Sequence, residues 1–204
     1  MNRTITILRN SLVFAVLIFA TFACNAPAIH YYAVKVDKHD AATGQPLADA
    51  SVAVERLSGD KIYNQDRIIY RDSNNEIGFY EYHQWTSPPI DLVTQSLTSN
   101  LIYSGYFRSV SSYREAVDPT YILTGRLLNF EEVDKTEGVY ASVRLELTLI
   151  DRKKQSTVWS GYGESELPVQ IKKVNAVAQQ LDEALSNSVK QAIQNLGGFV
   201  KNNH

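Results

Sequence analysis

Residues 139–150 read VYASVRLELTLI. Val139, Ala141, Val143, Leu145, Leu147 and Leu149 take the odd places, and Tyr140, Ser142, Arg144, Glu146 and Thr148 the even ones. Side chains alternate between the two faces of a strand, so this stretch predicts a strand with one buried face and one wet face. It is flanked by Tyr121 to Glu132, ahead of the charged turn Asp134-Lys135-Thr136-Glu137-Gly138, and by Thr157 to Glu164, after Asp151-Arg152-Lys153-Lys154. Three long strands joined by short polar turns predict an antiparallel meander, because parallel neighbours need a crossover connection.

Further out the pattern changes. Tyr31 to Val36 and Ser51 to Leu57 read as strands around a loop containing Thr43-Gly44-Gln45-Pro46, with Val52 and Val54 on one face. Ile68 to Arg71 and Glu76 to Gln84 form a hairpin pattern around Asp72-Ser73-Asn74-Asn75, residues that bond their own turn. Ser87-Pro88-Pro89 announces a helix, with Ser87 as its cap. Ile90, Val93, Leu97 and Leu101 carry that helix to about Tyr103, ahead of Gly105. A second helix runs from Val174 to Leu196, with Val177, Leu181, Leu185, Val189 and Ile193 on its apolar stripe and Gly197-Gly198 as its stop. The expected fold is α+β: a mixed or antiparallel sheet with the two long amphipathic helices packed on one face.

The chain has 204 residues, 20 Lys+Arg against 22 Asp+Glu for a formal charge of −2, 44% hydrophobic residues and one cysteine. That apolar fraction excludes a disordered chain, the balanced charge gives no nucleic-acid footprint, and one cysteine makes neither an internal disulfide nor a thiolate zinc cage.

Met1 to Asn10 carries Arg3 and Arg9 without an acid, and residues 12–23 (LVFAVLIFATFA) are apolar, which is the layout of a secretory signal over residues 1–23. A membrane-spanning helix needs roughly 20 apolar residues, more than this run supplies. Thr21-Phe22-Ala23-Cys24 resembles a bacterial lipobox, although Thr21 and Phe22 depart from its usual leucine and small residue. The resemblance implies that Cys24 is the lipidation site and the first mature residue; the alternative is a plain signal cut elsewhere, with Cys24 a bystander. Asn25, in place of Asp, implies sorting to the outer membrane on its periplasmic face, in a Gram-negative bacterium. Residues 24–30 are then a lipidated tether, 31–196 the domain and 197–204 a C-terminal tail. From Asn25 to His30 the tether reaches roughly 20 Å at most, so the domain lies close to the bilayer.

No catalytic, cofactor-binding or metal site is expected. Ser58-Gly59-Asp60-Lys61 spells Ser-x-x-Lys, but Gly-Asp reads as a turn, and neither Ser-Asp-Asn nor Lys-Thr-Gly accompanies it. His30, His39, His83 and His204 show no metal-binding spacing. Gly161-Tyr162-Gly163 opens no helix that would hold a phosphate, and reads instead as a bulge or close packing beside Trp159. The acidic clusters Glu131-Glu132-Asp134 and Glu164-Glu166 read as solvated turns and strand edge. The tyrosines Tyr63, Tyr70, Tyr80, Tyr82, Tyr103, Tyr106 and Tyr113 fit a protein interface or a strand-rich core equally well.

The segments His83-Gln84-Trp85-Thr86-Ser87-Pro88-Pro89, Tyr121-Ile122-Leu123-Thr124-Gly125-Arg126-Leu127 and Phe130-Glu131, the alternating strand ending in Asp151 and the closing helix together resemble the ABC-type transport auxiliary lipoproteins, the group that includes the paraquat-inducible C-type lipoprotein. The likeness spans Tyr31 to about Leu196. It implies a non-catalytic outer-membrane lipoprotein that works with an MCE-domain protein and an ABC permease in lipid transport between membranes, supporting membrane integrity. It transfers Cys24 as lipidation site and Trp85-Pro88-Pro89 as a structural signature. Homo-oligomeric assembly is a further expectation. The alternatives are a lipoprotein of lipopolysaccharide or outer-membrane protein assembly, a hydrolase using Ser58 and Lys61, and direct lipid binding in a groove between sheet and helices.

Overall fold

The alternation at 139–150 becomes the centre of the meander. In the computed structural model, which describes residues 27–35, 46 and 48–203, strands β7 (Tyr121–Lys135), β8 (Gly138–Asp151) and β9 (Ser156–Pro168) follow one another. β7 pairs antiparallel with β8 from Tyr121↔Asp151 to Lys135↔Gly138, and β8 with β9 from Tyr140↔Pro168 to Asp151↔Ser156. Ala141, Val143, Leu145, Leu147 and Leu149 are buried as the alternation requires. The signal segment, Cys24, Val36, His39, Thr43 to Gln45 and His204 lie outside the described residues.

The remaining strands are β1 (His30–Tyr32), β2 (Ala48–Val54), β3 (Ser58–Gly59), β4 (Arg67–Arg71), β5 (Ile77–Trp85) and β6 (Phe107–Ser112). Three of them share the other edge of β7 end to end, all parallel to it: β2 at Tyr121–Leu123, β3 at Arg126–Leu127 and β4 at Glu132–Val133. β6 lies outside β2, and β5 then β1 lie outside β4, which completes a mixed nine-stranded sheet. A register shift between Leu127 and Asn129 interrupts the β7–β8 ladder, and such a shift bends a strand and increases its twist.

Helix α1 (Pro89–Ser104) starts at Pro89 with Pro88 as its cap, so Ser87 does not play the capping role expected of it. Proline's fixed φ already suits a first turn. The helix ends at Gly105, whose φ of 65° is left-handed and is adopted by glycine without steric cost. Helix α2 (Val174–Asn203) does not stop at Gly197-Gly198. Its buried stripe continues to Val200, and Gly197 sits so close to Tyr106 that a Cβ would lie 2.4 Å from the ring. Gly197 is therefore a close-approach residue within the helix.

α1 packs on α2, β6, β7 and a single 3₁₀ turn at Lys61–Asn64, while α2 packs on β8 and β9. The tightest approach is at Gly163, where an added Cβ would stand 1.9 Å from the Ser188 carbonyl oxygen of α2. The buried Ser188 hydroxyl bonds the carbonyls of Val143 (3.0 Å) and Ala184 (2.8 Å). α2 also covers part of the outer edge of β9: Gln191 Oε1 accepts from the Glu164 amide (2.7 Å), and Asn195 Nδ2 donates to the Tyr162 carbonyl (3.3 Å).

Candidate functional site at the junction of β1 and β5

β1 begins six residues after Cys24 and is held on the outside of β5 by three register pairs, His30↔His83, Tyr31↔Gln84 and Tyr32↔Trp85. Side chains reinforce this short ladder. The His30 and His83 rings stack with centroids 5.0 Å apart, and the Tyr32 hydroxyl lies 2.9 Å from His83 Nδ1. Burial, and then the neighbouring His30, hold the His83 pKa below its ordinary value. The Thr86 amide donates to the Tyr32 carbonyl (2.8 Å) and the Lys35 amide to Asp182 of α2 (2.8 Å).

Trp85 closes this junction from within. It is 1% exposed and lies edge-on to both Phe130, at 5.3 Å, and Tyr32, at 6.3 Å. Its amide donates to the Asp66 carbonyl (2.6 Å), and three residues later Pro88 and Pro89 turn the chain into α1. The Trp85-Pro88-Pro89 signature thus places one aromatic plug where β1, β5 and β7 meet. The indole Nε1 has no acceptor among the described residues. A cleft of about 320 Å³ beside it is lined by Tyr32, Lys35, Trp85, Ala178 and Asp182.

Glu131 and Glu132 depart from the solvated turn expected of them, being 0% and 1% exposed. Glu131 accepts from Arg71 Nε (2.8 Å) and Nη2 (3.1 Å), from the Tyr63 hydroxyl (3.2 Å) and from Asn129 (3.2 Å). Burial and the Glu131 charge push the Tyr63 phenol far up. Glu132 accepts from the Tyr80 hydroxyl at 2.7 Å, and its other oxygen has no partner among the described residues. Apart from Asn129, their partners come from 50 to 70 residues away in the chain, which is why spacing within β7 gave no sign of them. Glu164 and Glu166, in contrast, are exposed on β9 and face Arg144 and Lys135.

Burial chiefly, with help from Asp134, holds the Glu132 pKa above the usual carboxylate range, against the pull of Tyr80. The unfolded chain titrates this group near ~4.3. The folded state therefore binds the proton more tightly; the stabilisation is full below ~4.3 and is lost as pH rises through the folded value. Glu132→Gln, which still accepts from Tyr80, is expected to gain stability relative to the parent as pH rises from mildly acidic to neutral. Urea midpoints measured across that range check this, and a difference that does not vary with pH would contradict it.

Ser58 and Lys61 are in different elements: the Ser58 hydroxyl donates to the Gly125 carbonyl (3.0 Å), and Lys61 opens the 3₁₀ turn capped by Asp60. An added Cβ at Gly161 would lie 2.3 Å from Trp159, so the close packing read at Gly161-Tyr162-Gly163 is present at both glycines. The tyrosines divide. Tyr63 is core, Tyr70 and Tyr80 are half-buried partners at 5.2 Å, and Tyr82 and Tyr113 are exposed. Among the described residues no three His, Cys, Asp or Glu side chains converge to hold a metal, and no helix is long and apolar enough to cross a membrane.

A short N-terminal strand is thus clamped onto the margin of an α+β domain. The chain belongs to the family of ABC-type transport auxiliary lipoprotein components, whose family model matches residues 33–192. Membership makes it an auxiliary lipoprotein of an ABC-type transport system and a membrane-anchored bacterial protein. Among solved structures it is similar to protein XCC0632 from Xanthomonas campestris, with 21% identity and a TM-score of 0.70 over 82% of this chain and 96% of that one. It is also similar to an uncharacterized protein, with 13% identity and a TM-score of 0.63 over 83% and 99% of the two chains. Protein CT253 from Chlamydia trachomatis is a third, with 8% identity and a TM-score of 0.56 over 76% and 100%. These likenesses establish the fold. No functionally curated protein matches the sequence.

Proposed function

We propose that the chain is a non-catalytic docking subunit, acylated at Cys24 and held at the periplasmic face of the outer membrane, in an MCE/ABC-type system that moves lipid between membranes. The observation that carries this reading is the family match over 33–192. The lipobox-like Thr21-Phe22-Ala23-Cys24 supports the anchor, and Asn25 supports outer-membrane sorting. Ser58, bonded to a backbone carbonyl and in a different element from Lys61, supports a binding role over hydrolysis. Its partners are the MCE-domain protein and the ABC permease of the same system, with no nucleic acid. Assembly as a homo-oligomer would multiply weak contacts to an oligomeric partner.

In-cell crosslinking of the tagged lipoprotein, followed by mass spectrometry of the solubilised envelope, tests the reading. The expected capture is an MCE-domain protein with its permease. Recovery of lipopolysaccharide or outer-membrane protein assembly factors in their place would overturn the pathway. Cys24→Ala, exported through an alternative signal, is expected to fold with unchanged stability and to lose function completely; full complementation by that soluble form would refute the anchored mechanism.

A further inference from the structure

We propose that the β1–β5 edge bearing Ile29, Tyr31 and Tyr82 is the face this domain lays against the interfacial layer of the bilayer that anchors it. The inference rests on acylation of Cys24 and adds an orientation to it.

Large apolar side chains are exposed here in a group: Ile29 by 46%, Tyr31 by 62% and Tyr82 by 38%. The parallel ladder brings them together, since His30↔His83 and Tyr31↔Gln84 are register partners and Ile29 and Tyr82 occupy the preceding step. The chain length between this edge and the anchor selects the occupant. Ile29 is five residues from Cys24 and Tyr31 seven. Fully extended, five residues reach roughly 17 Å, while the headgroup layer on each side of the hydrocarbon core is roughly 5–8 Å thick. A path that rises from Cys24 by less than about half of that reach leaves Ile29 within the layer. Once acyl chains hold Cys24, Ile29 stays within roughly 17 Å of the anchor and contact with lipid is always within reach.

The chemistry suits the location. Tyrosine has an apolar ring and a polar tip, and it is enriched where hydrocarbon meets water. The patch does not require a polybasic surface, which this sequence lacks, because the acyl chains already supply the affinity. The patch needs only to favour one orientation of a tethered body. The clamp described above keeps it in shape: Tyr32 on His83, the His30–His83 stack and Trp85 beneath them fix β1 to the domain, so the tether meets a rigid edge. Tyr113 and Val117, also exposed, belong elsewhere. The Tyr113 amide bonds Val54, which pairs with Leu123 of β7, whereas β4 carries the β1–β5 arm at Glu132. At ~3.3 Å per strand residue the two positions, Leu123 and Glu132, are roughly 30 Å apart along β7.

Cys24 is the single cysteine of the sequence, so acylation leaves an introduced cysteine as the sole thiol. The experiment uses the full-length acylated protein in vesicles of phosphatidylethanolamine and phosphatidylglycerol, with a nitroxide at Tyr31→Cys, Tyr82→Cys or Val117→Cys. Collision with membrane-dissolved oxygen is compared with collision with a water-soluble nickel chelate. Labels at 31 and 82 are expected to be several-fold more accessible to oxygen and several-fold more shielded from the chelate than the label at 117. Equal chelate access at all three sites, in protein that floats with the vesicles and whose parent resists thiol labelling, would overturn the orientation while leaving the anchor intact. Thiol labelling of the parent at Cys24 would overturn both.

Discussion

Arg71→Ala is expected to destabilise the domain by about 3–5 kcal/mol, the cost of leaving a buried charge without its partner. Glu131 is completely buried, and Arg71 supplies two parallel donors to it, at 2.8 and 3.1 Å. Arg71 itself is 26% exposed, so water entering the space it vacates places the effect toward the lower end of that range. Tyr63 and Asn129 still donate to Glu131 after the substitution, but neither carries a compensating charge. Equilibrium urea unfolding of the variant measures the loss. The double variant Arg71→Ala/Glu131→Gln is expected to recover most of it, because the uncompensated charge is then gone. If the double variant is as unstable as the sum of its single changes, the ion pair is not the source.

Gly163→Ala is expected to cost about 3 kcal/mol, or roughly a 6–12 °C fall in Tm for a chain of this size. The Cβ would land 1.9 Å from the Ser188 carbonyl oxygen, and backbone cannot rotate away as a side chain can. α2 would have to lift from β9, and the Ser188 hydroxyl, bonded across to Val143 at 3.0 Å, would be pulled from its acceptor. Gly198→Ala is the matching control: nothing beyond the helix's own neighbouring turn lies within 4 Å of its added Cβ, and replacing glycine by alanine inside a helix gains up to about 1 kcal/mol. Thermal unfolding should therefore move in opposite directions for the two substitutions. Equal and small shifts would mean that α2 does not depend on the Gly163 contact.

The meander was legible because every odd residue from Val139 to Leu149 is apolar, a period only a half-buried strand satisfies. The start of α1 was legible from Pro88-Pro89 and its end from Gly105, since both act locally on the backbone. Ser87 misled because a capping serine and a serine before two prolines look alike in sequence. β6 escaped notice: Phe107 to Ser112 reads FRSVSS, with little apolar alternation, and this strand is defined by pairing with β2, more than 50 residues earlier. The parallel attachments of β2, β3 and β4 to β7 are likewise long-range facts without a local signature.

The same distinction governs the glycines and the acids. Gly197 reads as a helix stop by its identity, yet its neighbour in space, Tyr106, explains it better. Glu131 and Glu132 read as wet by their charge, yet one is neutralised by Arg71 and the other is capped by Tyr80. At the junction, His30 and His83 lie far apart in sequence but become stacked partners through the β1–β5 register. Cys24 could be singled out only because the lipobox-like pattern is itself a local signal.

The covering of β9 by Gln191 and Asn195 bears on how copies of this chain meet. An uncovered strand edge is a template on which another chain can crystallise its own backbone, and molecules confined to a surface collide more often than in bulk. β9 has 13 residues, the longest of the strands at the margins of the sheet, and side chains of α2 already occupy two of its outward backbone groups. The margins left are β6, six residues of which three are serine, β1, only three residues, and β3, only two. Crowding along a membrane is thereby kept from becoming runaway strand addition through the longest ladder, and ordered association is left to side-chain surfaces that can be made selective.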